Sequence, residues 1–160
     1  MSKKSIVARH PKQKGTIGEA HVILELLEAG IPVFPEFGDL SRVDLIALIA
    51  NQPIKIQVKT TTSKNGVGVL SLRKITLNPK YNYTYRKDDV DVFALVVEDR
   101  NQVFYIKAEQ ALKNKGAFTI RLEPTKNHQR LLVKLGEDYT LSRLLRDYTP
   151  DTRSSRRREG

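Results

Sequence analysis

The chain has 160 residues, the size of one ordinary domain, and carries 28 Lys+Arg against 18 Asp+Glu for a formal net charge of +10. It has no cysteine, which excludes disulfides, thiolate metal sites and thiol nucleophiles, and His10, His21 and His128 are too scattered for a local metal motif. Any metal must therefore be held mainly by oxygen, and the basic balance favours a polyanionic partner through counterion release.

Residues 1–13 lack periodicity and read as a basic N-terminal arm, residues 14–148 as a single domain, and residues 149–160 as a basic, disordered tail. No apolar run approaches membrane-spanning length, so a soluble, cytoplasmic protein without a membrane partner is expected. In "TIGEAHVILELLEAG" an apolar stripe of Ile17, Ala20, Leu24 and Leu27, widened by Ile23, predicts a helix with Thr16 as N-cap and Gly30 after its last turn. "IPVFPEF" is extended but broken by Pro32 and Pro35, which suits a short edge strand.

"SRVDLIALIANQPIKIQVKTT" reads as two strands joined at "NQP". In the second, Ile54, Ile56 and Val58 share one face, and Lys55, Gln57 and Lys59 the other. "NGVG" lacks the Lys-Ser/Thr ending of a phosphate-binding loop and reads as a hairpin turn. In "YNYTYRK", Tyr81, Tyr83 and Tyr85 share a face if extended, open to sheet packing or to nucleic-acid contact. "DVFALVVED" and "QVFYIKA" form a hairpin around Arg100 and Asn101, "AEQALKNKG" a short helix ending at Gly116, and "AFTIRL" a strand. "EDYTLSRLLRDY" is a last short helix whose Leu141, Leu144 and Leu145 supply either an interface or a cap on the core. This order predicts an α/β domain with a central sheet covered by helices.

Four residues could meet. Gln57 and Lys59 share a strand face, a short hairpin would bring Asp44 alongside, and Glu19 could reach the same place from the helix. Two carboxylates, an amide oxygen and a lysine suit a Mg²⁺ ion and a scissile phosphate, hence metal-assisted phosphodiester hydrolysis. Each residue also has a plainer reading. Glu19 follows Thr16 at capping-box spacing, Asp44 could pair with Arg42, and Gln57 with Lys59 could form a solvated strand face.

The ordered elements "KGTIGE", "GDLSRVDL", "IQVKT", "VDVFALVVE" and "FTIRLEPTKNHQ" resemble the PD-(D/E)XK nuclease superfamily, most closely its group I intron-encoded homing endonuclease branch with a Q-x-K strand. The resemblance spans most of residues 14–130. It implies a restriction-endonuclease-like core, a central mixed β-sheet flanked by α-helices, forming one nuclease domain over residues 14–148. It also implies a Mg²⁺-dependent, site-specific endonuclease acting on double-stranded DNA, with Mn²⁺ able to substitute. Asp44 would be the central metal ligand, with Glu19 and the Val58 backbone carbonyl as further ligands. Gln57 would be an amide-oxygen ligand or water positioner, and Lys59 the partner of the attacking water or phosphate. Gln57 stands where the superfamily keeps an acid, and Val43 where it keeps a proline. A neutral ligand gives up roughly 1 to several kcal/mol of attraction to the ion, so weaker metal binding is expected. Lys14, Lys64, Arg73, Lys74, Lys80 and Arg86 are candidate DNA contacts. Cutting two strands with one site per chain implies a homo-oligomer, a dimer or tetramer. A Holliday-junction or other structure-selective nuclease, and a catalytically silent DNA-binding protein, would share this core.

Overall fold

A histidine and a proline set the first element. Helix α1 spans Pro11–Glu28, with Pro11 at the first helical position and His10 as N-cap, its Nδ1 accepting from the Lys12 amide at 3.3 Å. The computed structural model describes residues 10–124 and 133–149, so residues 1–9 of the expected arm, residues 150–160 of the expected tail and the segment with His128 lie outside the described residues, while residues 11–13 of that arm belong to α1. Thr16 is not the N-cap; it lies inside α1, where its hydroxyl donates to the Lys12 carbonyl at 3.1 Å. The buried stripe differs as well. Leu24 and Leu27 are more than half exposed, and Gly18, Val22 and Leu26 face the core at i, i+4, i+8 spacing.

The strands are β1 (Val33–Pro35), β2 (Leu45–Ile49), β3 (Gln52–Thr61), β4 (Val67–Ser71), β5 (Arg73–Lys74), β6 (Tyr83–Thr84), β7 (Val92–Val97), β8 (Gln102–Lys107) and β9 (Ala117–Arg121). Five form the central sheet in the order β1-β2-β3-β7-β8, and β1 is the expected short edge strand. The β2–β3 turn falls on Ala50 and Asn51, both left-handed (φ 49° and 62°), so "NQP" is not the turn, and Gln52 and Pro53 already belong to β3. Its register sets Leu45 against Ile56 and Ala47 against Ile54. β3 and β7 run parallel, which requires a crossover, and residues 62–91 supply it. Every residue of β7 is buried, as suits a central strand covered on both faces. The β7–β8 hairpin closes through a left-handed Asn101, and Asn65 and Gly66, both at positive φ, make the turn before β4.

One sheet face packs against α1 and against α3 (Leu141–Tyr148), joining Val22 and Leu26 to Ile56, Ala94 and Val96. Leu141 and Leu144 belong to this cluster, so they cap the core. The other face is covered by the β4–β9 pair and by α2 (Ala108–Ala111), a single turn that stops short of Gly116. There Phe93 and Leu95 pack on Leu70, Phe118 and Ile120. Burying each phenylalanine contributes about 1.5–3 kcal/mol. The polar face of β3 is therefore not a wet one. Gln57 is 8% exposed and is the buried polar residue of the described core. No helix among the described residues is long and apolar enough to cross a membrane.

Candidate active site

Asp44 immediately precedes β2, and its main chain is held on both sides: its amide donates to the Ile56 carbonyl at 3.0 Å, and its carbonyl accepts from Glu36 at 2.8 Å. Its Oδ2 accepts from the Val58 amide at 2.7 Å and from the side-chain amide nitrogen of Gln57. The same Gln57 nitrogen donates to the Val58 carbonyl at 3.2 Å. One NH₂ group thus lies between a carboxylate oxygen and a backbone carbonyl oxygen, and both oxygens face a single point. In this orientation Gln57 acts as a donor, with its amide nitrogen toward them.

Lys59 shares the Gln57 face of β3, and its ammonium sits 5.0 Å from the centroid of the Tyr85 ring. Tyr85 is buried, meeting Tyr83 and Phe93 edge-on at 5.1 and 5.2 Å. Burial holds the Lys59 pKa below the usual lysine range; the Asp44 charge opposes this and the Lys74 charge adds to it. Burial likewise pushes the Asp44 pKa up, countered by the Val58 amide and Lys59, with the Asp39 and Glu36 charges pushing the same way as burial. Glu19 is raised first by burial and then by the charges of Asp44, Asp39 and Glu36.

Glu19 reaches this place because α1 crosses β3 very closely. A methyl group on Gly18 would collide with the Thr60 hydroxyl and lie 3.7 Å from Val96. Glu19 is nine positions into α1, so it plays no part in capping the helix. Arg42 does not pair with Asp44. Its guanidinium bonds Asp89 at 2.6 Å and stacks 4.2 Å from the Tyr83 centroid. Glu19, Val58 and Lys59 open onto a cleft of about 490 Å³ that Lys14, Thr61 and Glu98 also line. Among the described residues no three acidic or histidine side chains converge on a metal-sized point. An ion here would need a carbonyl or amide oxygen besides Asp44 and Glu19.

Apart from Lys14 on α1, the candidate DNA contacts fall within residues 64–86. Lys64, Arg73, Lys80 and Arg86 are exposed, Lys74 is half-buried on β5, and Lys14 is paired with Glu98 at 3.0 Å. The three tyrosines do not share a face: Tyr81 lies in the short helical turn Pro79–Tyr81 and is exposed, while Tyr83 and Tyr85 turn inward. Sequence reading missed Glu36 and Asp39, the acidic neighbours of the site, and Tyr85 as the wall behind Lys59. "EFGD" carried a signal, since Gly38 and Asp39 both adopt positive φ (104° and 50°) and turn the loop back toward Asp44.

The pairing of a strand-edge aspartate with a Gln-x-Lys strand on a mixed sheet agrees with what the whole chain resembles. Residues 9–142 match the PD-(D/E)XK endonuclease family, and the chain belongs to it; it is a DNA endonuclease. Among solved structures it is similar to a bacterial homing endonuclease, I-Ssp6803I, with a TM-score of 0.70 and 22% identity. The match covers 95% of this chain and 100% of that one. No curated protein sequence matches it significantly.

Proposed function

We propose that the chain is a Mg²⁺-dependent, site-specific endonuclease for double-stranded DNA, of the intron-encoded homing type and acting in the cytoplasm. The observation that carries this is the convergence of Asp44 Oδ2 and the Val58 carbonyl on one NH₂ group, with Lys59 on the same strand face and Glu19 beside them. The donor set fits a hard divalent cation, Mg²⁺ or Mn²⁺ in its place, held by Asp44, Glu19, the Val58 carbonyl and the Gln57 amide oxygen once that amide has turned. When bound, such an ion polarises the scissile phosphate and lowers the pKa of a coordinated water.

The protein's own groups do the rest. Asp44 is fixed to β3 by its main-chain bond to Ile56 and by the Val58 amide, and both bonds remain when the Gln57 amide turns. Lys59, carried against the Tyr85 ring, supplies positive charge where the phosphate oxygens gain negative charge, or orients the attacking water. Lys14 and the basic residues of 64–86 draw the duplex in. Cutting both strands needs a second copy, and the edge strand region offers exposed Phe34, Phe37 and Leu40 as an apolar surface for a dimer or tetramer.

The test is cleavage of a library of randomised DNA in Mg²⁺, with mapping of the cut ends. A homing enzyme leaves ends that define one extended site. Preference for a four-way junction over linear duplex would favour the structure-selective alternative, and no metal-stimulated cleavage would leave only a DNA-binding protein. Gln57 permits a sharper measurement. In Gln57→Glu a carboxylate replaces the NH₂ donor between Asp44 and the Val58 carbonyl. Tm in chelator should therefore fall, while Mg²⁺ raises it more steeply than in the wild type and binds about tenfold tighter or more. A Tm that Mg²⁺ raises equally in both proteins would place the ion away from Gln57, and a Tm unmoved in both would remove the metal site.

A further inference from the structure

From Thr60 to Lys87 the sequence contains no acidic residue and six basic ones, Lys64, Arg73, Lys74, Lys80, Arg86 and Lys87. Within this stretch β5 and β6 form a two-stranded antiparallel ribbon, Arg73 opposite Thr84 and Lys74 opposite Tyr83. The connection between them carries three apolar side chains in water: Ile75 is 78%, Leu77 107% and Tyr81 62% exposed. None of them joins either core cluster.

This tip is not slack. Asn82 Oδ1 accepts from the Thr76 amide at 2.6 Å, the Thr76 hydroxyl donates to the Asn78 carbonyl at 2.6 Å, and Asn78 Oδ1 accepts from the Lys80 amide at 3.1 Å. Its polar side chains are spent on fixing its own backbone, which leaves the apolar ones to point outward. The other end of the ribbon sits at the active site. The Tyr83 ring lies 5.9 Å from the Lys74 ammonium and meets Tyr85, which carries Lys59.

We propose that residues 73–84 are an arm that enters the major groove of the DNA beside the cleaved bond, with Ile75, Leu77 and Tyr81 meeting base edges and Lys74 and Lys80 holding the flanking phosphates. This rests on the endonuclease reading given above. The major groove, about 12 Å wide, admits a two-stranded ribbon, and the thymine methyl is the apolar group it displays. Lysine contacts to phosphate fix register without reading sequence, so the exposed apolar residues carry the discrimination. A tip already ordered by its own hydrogen bonds gives up little freedom on binding.

The experiment compares the cleavage-site preference of the wild type with Leu77→Ser, Tyr81→Ser and Lys80→Ala, all at exposed positions, by selection from randomised DNA, alongside the salt dependence of binding and the oligomeric mass. Leu77→Ser and Tyr81→Ser should each flatten the preference at one or two adjacent base pairs by roughly 5- to 100-fold, leaving the salt slope unchanged. Lys80→Ala should weaken all sequences alike and reduce the slope by about 0.9. A preference identical to wild type in both serine variants overturns the arm while leaving the endonuclease in place. A fall in oligomeric mass with preference unchanged overturns it too, and makes the tip an interface between copies. A wild type that cuts no duplex DNA removes the endonuclease reading and the arm with it.

Discussion

Asp44→Asn is expected to reduce cleavage by roughly 10³-fold or more and, at the same time, to raise thermal stability. The carboxylate is buried and its pKa is raised mainly by that burial, so the ionised form needed to hold a cation is the form the fold disfavours. The sign follows from linkage. Below the unfolded value of 3.8 both states are protonated and the site costs nothing. As pH rises through the higher folded pKa, the folded protein must surrender a proton it holds more tightly than the unfolded chain does, and the penalty stays in full above that. Asparagine keeps an oxygen for the Val58 amide and carries no charge. Calorimetry in chelator should therefore show the variant's Tm above the wild type's at pH 8, by about 2–4 °C for each kcal/mol relieved, and the gap closing as pH falls toward 3.8. A variant less stable than wild type at pH 8 would mean that the carboxylate is a structural group first and a ligand second. Glu19, raised by burial and by three neighbouring acids, shifts in the same direction.

Lys59→Met should lower kcat by roughly 10²- to 10³-fold with a smaller change in KM, because the ammonium acts on charge that develops at the phosphate. Methionine preserves the aliphatic stem along the Tyr85 ring and removes the charge. The linkage here is that of a buried cation. Its folded pKa lies below 10.5, so the charged form destabilises the fold at neutral pH, and the penalty fades as pH climbs from the folded pKa to 10.5. The variant's Tm should exceed the wild type's at pH 7 and converge with it at alkaline pH, while wild-type cleavage declines at a pH below 10.5. Cleavage by Lys59→Met within tenfold of wild type would remove Lys59 from the chemistry.

What could be read in the chain, and what could not, divides along physical lines. The β2–β3 pair and the β7–β8 hairpin were legible because a period of two in Ile54, Ile56 and Val58, and the unbroken apolar run of 92–97, are local signals. The face of α1 was misread because its closest contact is made by a residue with no side chain. Gly18 seats the helix on Thr60, and counting only large apolar residues turned the stripe toward Leu24 and Leu27. The start of α1 was hidden by a histidine cap, a residue type weaker at that position than the Thr16 that drew attention. Gln57 and Lys59 looked like a solvated face since nothing in their own strand reveals that β4 and β9 return to cover it. The grouping of Asp44, Gln57 and Lys59 rested on spacing and on the family resemblance, and the fold supplies the hydrogen bonds that neither could show.

The double anchoring of the Asp44 main chain, to Ile56 on one side and Glu36 on the other, separates two demands that an enzyme of this kind has to meet over its history. The carboxylate is mounted against the buried middle of β3, where change is punished by loss of the fold. The exposed ribbon of 73–84 makes no contribution to either core through its outermost residues. Descendants of such a chain can wander to new recognition sequences by altering the ribbon while the cutting apparatus is inherited intact.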